Sequence, residues 1–391
     1  MSTWSWLSNR LCKQIPDIDP RGGATIVAAG DRIVIFGGAN REQVHYGDVI
    51  ICSMEPKATT ASCASCELKD GYHNRELKTW KRVEATGDVP PPRSGHAAVA
   101  YGDYMILFGG IDFAEEAAYN DLYTLDLNTL EWKYIGEAGS EILPRNSHCI
   151  GIMDGPTGTS DKYLVVYGGA SPEQGVFDET FYALIPEYSQ MKERGEEFYV
   201  TWQLLEKDPT GPGGGPGGGP GGREMHSSCT INGNLVVSGG RNEAGTVLAD
   251  TWSLSNKLKW EKRNDLELPV SRCAHGAAVV GEKYCIYGGF TGVGVEGDLV
   301  TKILSTEETV FNTPSAAQWV NEACSIDIGA RFGLALCGAP KWLIHLSTPK
   351  KVTDTTPDEN NISYETGGLL VFGGVSVEND FGDVWVLSPR P

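Results

Sequence analysis

Pro92-Arg93-Ser94-Gly95-His96 leads into the apolar run Ala97-Ala98-Val99-Ala100-Tyr101, a turn at Gly102-Asp103, and a second apolar run, Tyr104-Met105-Ile106-Leu107-Phe108, that ends in Gly109-Gly110. A loop then reaches Tyr119-Asn120-Asp121-Leu122-Tyr123, a turn at residues 126–128, and Glu131-Trp132-Lys133-Tyr134. Four short runs rich in β-branched and aromatic residues, separated by turn residues, predict a four-stranded antiparallel meander. Gly102-Asp103 suits the tight hairpin between the first two, because both residues tolerate positive φ.

One meander cannot bury both of its faces, but copies at a fixed period can pack face to face. Copies are present. The Gly pair recurs at Gly37-Gly38, Gly109-Gly110, Gly168-Gly169, Gly239-Gly240, Gly288-Gly289 and Gly373-Gly374. An arginine precedes each pair: Arg21, Arg93, Arg145, Arg223, Arg272 and Arg331. The gap from arginine to first glycine is 16 in four copies, 23 in the third and 42 in the sixth, so the longer two carry insertions. An acidic residue then precedes each third run: Asp48, Asp121, Glu179, Asp250, Asp298 and Asp383. A tryptophan marks the fourth run at Trp80, Trp132, Trp202, Trp260 and Trp319.

The sixth copy ends before its tryptophan, but Trp4 lies 17 residues ahead of Arg21, near the 12 or 13 that separate Trp80, Trp132, Trp260 and Trp319 from the next arginine. The N-terminal strand is therefore expected to complete the last sheet and close a ring through backbone hydrogen bonds. The pattern resembles the kelch family: a double glycine after the second strand, a Tyr-x-Asp element and a tryptophan in the fourth strand. The resemblance covers nearly the whole chain and implies an all-β, six-bladed β-propeller.

The expected organisation is one domain over residues 1–391. Blade one covers about 21–85, blade two 92–137, blade three 144–206, blade four 223–264, blade five 271–323, and blade six 330–388 plus strand 2–8. The propeller is expected to begin at Trp4 with no adaptor domain ahead of it. A Gly/Pro-rich segment at 211–222 cannot pack and is no phosphate loop, since no Lys-Ser/Thr follows it. Residues 187–197 suit a short helix on the outer edge, and residues 348–365 read as a polar loop.

The net charge of −19, with 51 acidic against 32 basic residues and no basic run, argues against nucleic acid and anionic membrane. The first fifteen residues lack a signal-peptide core, and no run reaches the ~18 residues of a membrane span. Ten cysteines, several inside strands, look like reduced, packed thiols. A cytoplasmic or nuclear location is expected, and the sequon Asn361-Ile362-Ser363 reads as incidental. Cys63, Cys66 and His73 show the start of a zinc-ligand spacing without an evident fourth ligand.

Strand alternation places the links from second to third strand on the same face as those from fourth to next first strand. That face carries the candidate partner-binding residues Arg41, Glu42, Phe113, Glu115, Glu116, Arg241, Glu243, Phe290 and Glu378, with the ring of Arg21, Arg93, Arg145, Arg223, Arg272 and Arg331 below. Because the arginines repeat, about two-thirds of them are expected to bond loop carbonyls or acidic residues of neighbouring blades. The repeated tryptophans are expected in the core, and the repeated acidic residues on turn amides. His96, His148, His226 and His275 each follow an arginine by three residues and are expected to line the channel as packed strand histidines. Many kelch proteins bind peptide or protein partners on this face. The resemblance therefore implies a non-enzymatic interaction module or scaffold, monomeric by itself, with a protein or peptide partner and no cofactor. The rival is a small-molecule or metal-dependent enzyme whose site uses the four histidines at the channel mouth.

Overall fold

The structure, a computed structural model, describes residues 4–6, 18–56, 75–77, 80–139, 142–206, 218–304, 318–324, 327–340, 343 and 366–389. Six sheets follow one another around an axis, antiparallel except that Thr86–Gly87 adds to the edge of blade two in parallel. In blade four, for example, Ser227–Ile231, Asn234–Ser238, Thr251–Leu254 and Trp260–Lys262 pair in chain order. The innermost strands touch in sequence: Thr25–Ala29, Ala97–Tyr101, Cys149–Asp154, Ser227–Ile231, Gly276–Val280 and Ala335–Pro340, with the last returning to the first. The molecule is thus a closed six-bladed propeller.

The last blade contains both ends of the described chain. Trp4–Trp6 lies outermost, antiparallel to Val384–Pro389, with Trp4 opposite Pro389, Ser5 opposite Ser388 and Trp6 opposite Leu387. The tryptophan missing from the sixth copy is supplied from the amino-terminal side, as its spacing predicts.

The core lies between blades rather than within them. Each of the six apolar clusters joins two neighbours. Ile33, Ile35 and Ile50 of blade one meet Leu370, Phe372 and Val386 of blade six, for instance. This follows from strand alternation: each sheet has two apolar faces, and only a neighbour on both sides removes them from water. The repeated tryptophans divide. Trp80 and Trp132 are buried, but Trp202, Trp260 and Trp319 are half-exposed at the outer rim of their blades.

Two local departures bear on the blades. The short helix Tyr188–Arg194 is capped by the Glu187 carboxylate on the amides of Ser189 and Gln190. It buries Met191 and joins the apolar cluster between blades two and three. In blade one the fourth position is divided, since Lys81–Val83 and Arg75–Leu77 pair with different parts of Val49–Pro56. None of the seven described cysteines forms a disulfide. No helix among the described residues is long and apolar enough to cross a membrane.

Backbone hydrogen bonds run from blade to blade close to the axis. Two residues after each repeated arginine, the amide donates to its counterpart in the preceding blade: Gly95 to Gly23, Ser147 to Gly95, Met225 to Ser147, Ala274 to Met225, Gly333 to Ala274 and Gly23 to Gly333, all at 2.7–2.9 Å. These six bonds form an unbroken hoop. All six residues sit at positive φ, three of them without being glycine, so the hoop holds backbone in a region that L-residues avoid.

Removing residues 1–9 deletes the three-residue closing strand and leaves the hoop. We expect the truncated chain to fold but to melt about 5 °C or more below the parent. Identical melting curves by circular dichroism would show that the amino-terminal strand contributes nothing to holding the ring closed.

Candidate functional site

The repeated arginine organises one end of the ring. In every blade Nε donates to the carbonyl two residues upstream, and one terminal nitrogen donates to the carbonyl of the first glycine of the pair; for Arg93 these are Pro91 and Gly109, at 3.1 and 2.9 Å. The guanidinium also engages the acidic residue before the third strand of its own blade. Arg93 meets Asp121 at 2.6 and 2.9 Å, and Arg223 meets Asp250 at 2.8 and 3.0 Å. Asp48, Asp298 and Asp383 receive Arg21, Arg272 and Arg331 likewise. Four guanidiniums also lie over aromatic rings, those of Tyr46, Tyr119, Phe177 and Phe381.

These facts correct two expectations. Arg21, Arg93, Arg145, Arg223, Arg272 and Arg331 are 0–2% exposed, so their side chains present nothing to a partner. The carboxylates they meet belong to their own blades, and those acidic residues are counter-ions rather than turn-amide acceptors. A buried guanidinium needs a charge partner and carbonyls for its remaining donors, and the blade supplies both.

Blade three departs from the rest because its acidic residue is Glu179. The longer side chain stands 3.9 Å from Arg145 and makes no hydrogen bond to it. Burial then lowers the Arg145 pKa to about 10, with the Glu179 charge opposing the shift.

The four repeated histidines are packed as expected. They are buried, and three of the rings meet the aromatic residue before the glycine pair of the preceding blade: His96 on Phe36, His148 on Phe108 and His226 on Tyr167; for His275 that residue is Ser238. Burial, followed by the neighbouring guanidinium, lowers His96, His226 and His275 to about 3. The same causes hold His148 well below 6.5. The glycine pair has its reason here too: a Cβ on Gly109 would stand 2.8 Å from the His148 ring and from the Arg145 carbonyl. Among the described residues no group of three or more His, Cys, Asp or Glu is placed to hold a metal ion. Cys63, Cys66, His73 and the loop at 348–365 lie outside the described residues.

Above the histidines, on the face with the arginines and glycine pairs, the channel opens into a cavity of about 390 Å³. Its wall includes Phe113, Met225, Phe332 and Val375 with Asn40 and Gln43. Of the sequence candidates, Phe113 reaches this cavity, 51% exposed and leaning on His45. Phe290 is half-buried and packs against Phe332. Glu42, Glu115, Glu116 and Glu378 are exposed on the loops around it.

Three candidates are engaged within the fold. Arg41 crosses to blade six, where Nε meets Asp380 at 2.5 Å and the terminal nitrogens reach the carbonyls of Ser376, Val377 and Asn379. Arg241 pairs with Glu224 of its own blade at 2.5 Å. Glu243 accepts the Val176 amide of blade three at 2.7 Å. Sequence reasoning missed Val44, Val293 and Val377, which stand 47%, 98% and 79% exposed at loop tips on this face. Their signal was an apolar residue inside a polar turn.

Comparison with known proteins agrees with the geometry. A family model described as the KLHDC2/KLHL20/DRC7 Kelch-repeats domain matches residues 1–193. The chain is 32% identical over 261 residues to "Adagio-like protein 1" of Oryza sativa subsp. japonica, covering 63% of this chain and 37% of that protein. It is 27% identical over 288 residues to "Kelch domain-containing protein 3" of Homo sapiens, covering 72% and 65%. It is 26% identical over 291 residues to "Host cell factor homolog hcf-1" of Caenorhabditis elegans, covering 70% and 32%. The chain spans 34–40% of the length of the four Adagio relatives it matches.

Two outcomes follow from the buried charges. Glu179→Asp should restore the two-point contact seen in the other blades and raise unfolding free energy by about 1–2 kcal/mol in urea titration; a loss of stability would contradict it. In the unfolded chain the histidines titrate near 6.5, whereas in the fold three of the four stay neutral to about 3. Below pH ~6.5 the unfolded chain therefore binds more protons, and stability should fall by up to ~1.4 kcal/mol per pH unit for each imidazole as pH drops towards about 3. His275→Gln keeps a hydrogen-bonding group there and should flatten that slope.

Proposed function

The chain belongs to the kelch-repeat β-propellers, and from that premise we propose that it is a non-enzymatic protein-interaction module that binds a protein or peptide partner on the loop face around the channel mouth. The observation that carries this reading is the composition of the rim. Val44, Phe113, Val293 and Val377 stand exposed on four blades, where a folded chain ordinarily turns polar groups outward. Phe113 lines the cavity at the channel mouth, the three valines stand on the loops after the second strands on the same face, and Glu42, Glu115, Glu116 and Glu378 are exposed on these loops beside them. Apolar anchors within a polar rim are the usual anatomy of a recognition surface.

The loops are held for such a role. Arg41 ties the loop of blade one to that of blade six, and Glu243 ties the loop of blade four to that of blade three. His45 sits 3.2 Å from Asp112 and accepts the Phe113 amide, tying blade one to blade two. Loops braced from blade to blade present side chains with less ordering cost on binding. The residues doing this work are engaged internally, so Arg41 and Arg241 serve the shape of the face rather than contacting a partner.

The triple variant Glu115→Lys, Glu116→Lys and Glu378→Lys alters only exposed side chains. It should melt within about 1–2 °C of the parent, since substitutions away from buried groups change stability little. It should nonetheless lose partners that the parent captures in a quantitative pull-down. Equal capture by both proteins would remove the loop face as the binding surface.

A further inference from the structure

In every blade the residue after the repeated arginine is joined by a backbone bridge to the residue after the glycine pair, and these bridged pairs ring the mouth above the hoop. Blade one has the smallest pair, Gly22 and Ala39. Its glycine is not a requirement of the backbone. Gly22 does not adopt a positive φ, and the other five blades carry serine, asparagine, glutamate, cysteine or phenylalanine at this place. What the missing side chain leaves is space: a Cβ on Gly22 would stand 3.2 Å from Val375 Cγ1. The recess belongs to the cavity of about 390 Å³, between Phe332 and Val375 of blade six and Phe113 of blade two. Gly22, Ala39, Phe332 and Val375 are all partly exposed and Phe113 is exposed, so a guest can reach it from the mouth.

The wall excludes a charged guest. No Asp, Glu, Lys or Arg lines the cavity among the described residues, so an entering ion would give up its hydration without a counter-charge. The six hoop residues also line it, and their amides are all spent on carbonyls of the preceding blade, so the hoop offers an anion no donor. The polar side chains are largely engaged as well. Asn40 Oδ1 accepts the amides of Glu42 and Val44, and Asn146 donates to the Ala170 carbonyl and accepts the Ser147 hydroxyl. An uncharged apolar side chain meets none of these costs and gains by leaving water. The surroundings continue the same character. The loops of blades one and six that flank the recess carry exposed Val44 and Val377, and the Arg41–Asp380 pair holds these loops together.

We propose that the recess over blade one is an anchor site, into which an extended segment of the partner protein sinks one large uncharged side chain (leucine, methionine or phenylalanine) between Gly22, Ala39, Phe113, Phe332 and Val375. The proposal rests on the loop-face reading above and adds the place and the chemistry of the anchor.

The test is selection of a random peptide display library on the full chain, followed by fluorescence polarisation of the enriched peptides against the parent and its variants. Enriched peptides should share one Leu, Met or Phe, and its replacement by alanine should weaken binding at least about tenfold. Gly22→Phe gives blade one the residue that blade six carries there and fills the recess. Ala39→Leu fills the same space from the other member of the pair, and circular dichroism shows which variants fold. Each folded variant should bind the enriched peptides about tenfold or more weakly than the parent does. Against these variants the alanine-substituted peptide should lose little further affinity, because its anchor has no recess left to lose. Peptides whose shared residue is charged, or that bind the folded recess variants as well as the parent, would overturn the anchor site. If those peptides still fail on the Glu115→Lys, Glu116→Lys, Glu378→Lys variant, the loop face stands. Peptides that bind the recess variants and that triple variant as well as the parent would overturn the face too, and a selection that enriches nothing would overturn both.

Discussion

Each repeated arginine holds the propeller together from both of its ends. Its side chain closes its own blade by linking the turn upstream, the glycine pair and the acidic residue before the third strand. Its backbone joins the preceding blade: the carbonyls of Arg93, Arg145, Arg223, Arg272, Arg331 and Arg21 each accept a 2.9 Å hydrogen bond from the second glycine of the blade before. The last of these, from Gly374 to Arg21, crosses the junction between the sixth blade and the first. Closure therefore does not depend only on the strand Trp4–Trp6. The outer strand, the glycine bond and the axial hoop all span that junction, at increasing depth.

This arrangement explains why a charged residue recurs in a buried position. A buried ion pair is seldom worth more than apolar packing of the same volume, but losing one partner is costly. The guanidinium is kept because its donors reach three separate backbone and side-chain elements at once, with a planar geometry that lysine lacks. The glycine pair is the necessary complement. With an arginine carbonyl and a histidine ring packed against it, and with φ positive at both positions, no side chain fits there.

Where the repeat is imperfect, the ring loses its symmetry, and recognition of a single partner requires an asymmetric surface. Glu179 in place of aspartate leaves Arg145 less compensated than its five counterparts. Ala97 and Cys149 stand where Thr25 and Ser227 bond His96 and His275 in other blades, and Nε2 of His148 and His226 has no hydrogen-bond partner among the described residues. At the rim, valine or phenylalanine tips on blades one, two, five and six give way to Glu173 and Glu243 on blades three and four. The scaffold is uniform where blades contact each other and varied where they face the mouth.

The sequence by itself determined the number of blades, the order of their strands and the origin of the closing strand. Those features depend on spacing and periodicity, which are properties of the chain alone. It also placed the candidate loops on one face, because strand alternation is a matter of parity. Only the tertiary structure decided which charges remain free. The repeat marks Arg93 as an arginine bonded within the fold, but not that its partner is Asp121 of its own blade, and nothing in the sequence shows that the unrepeated Arg241 is paired, half-exposed, with Glu224. Arg41 and Asp380 lie 339 residues apart, and their contact exists only once the ring has closed. Exposure, ion pairing and the orphaned nitrogens of His148 and His226 all depend on what the neighbouring blade presents, so they follow from packing and not from sequence position.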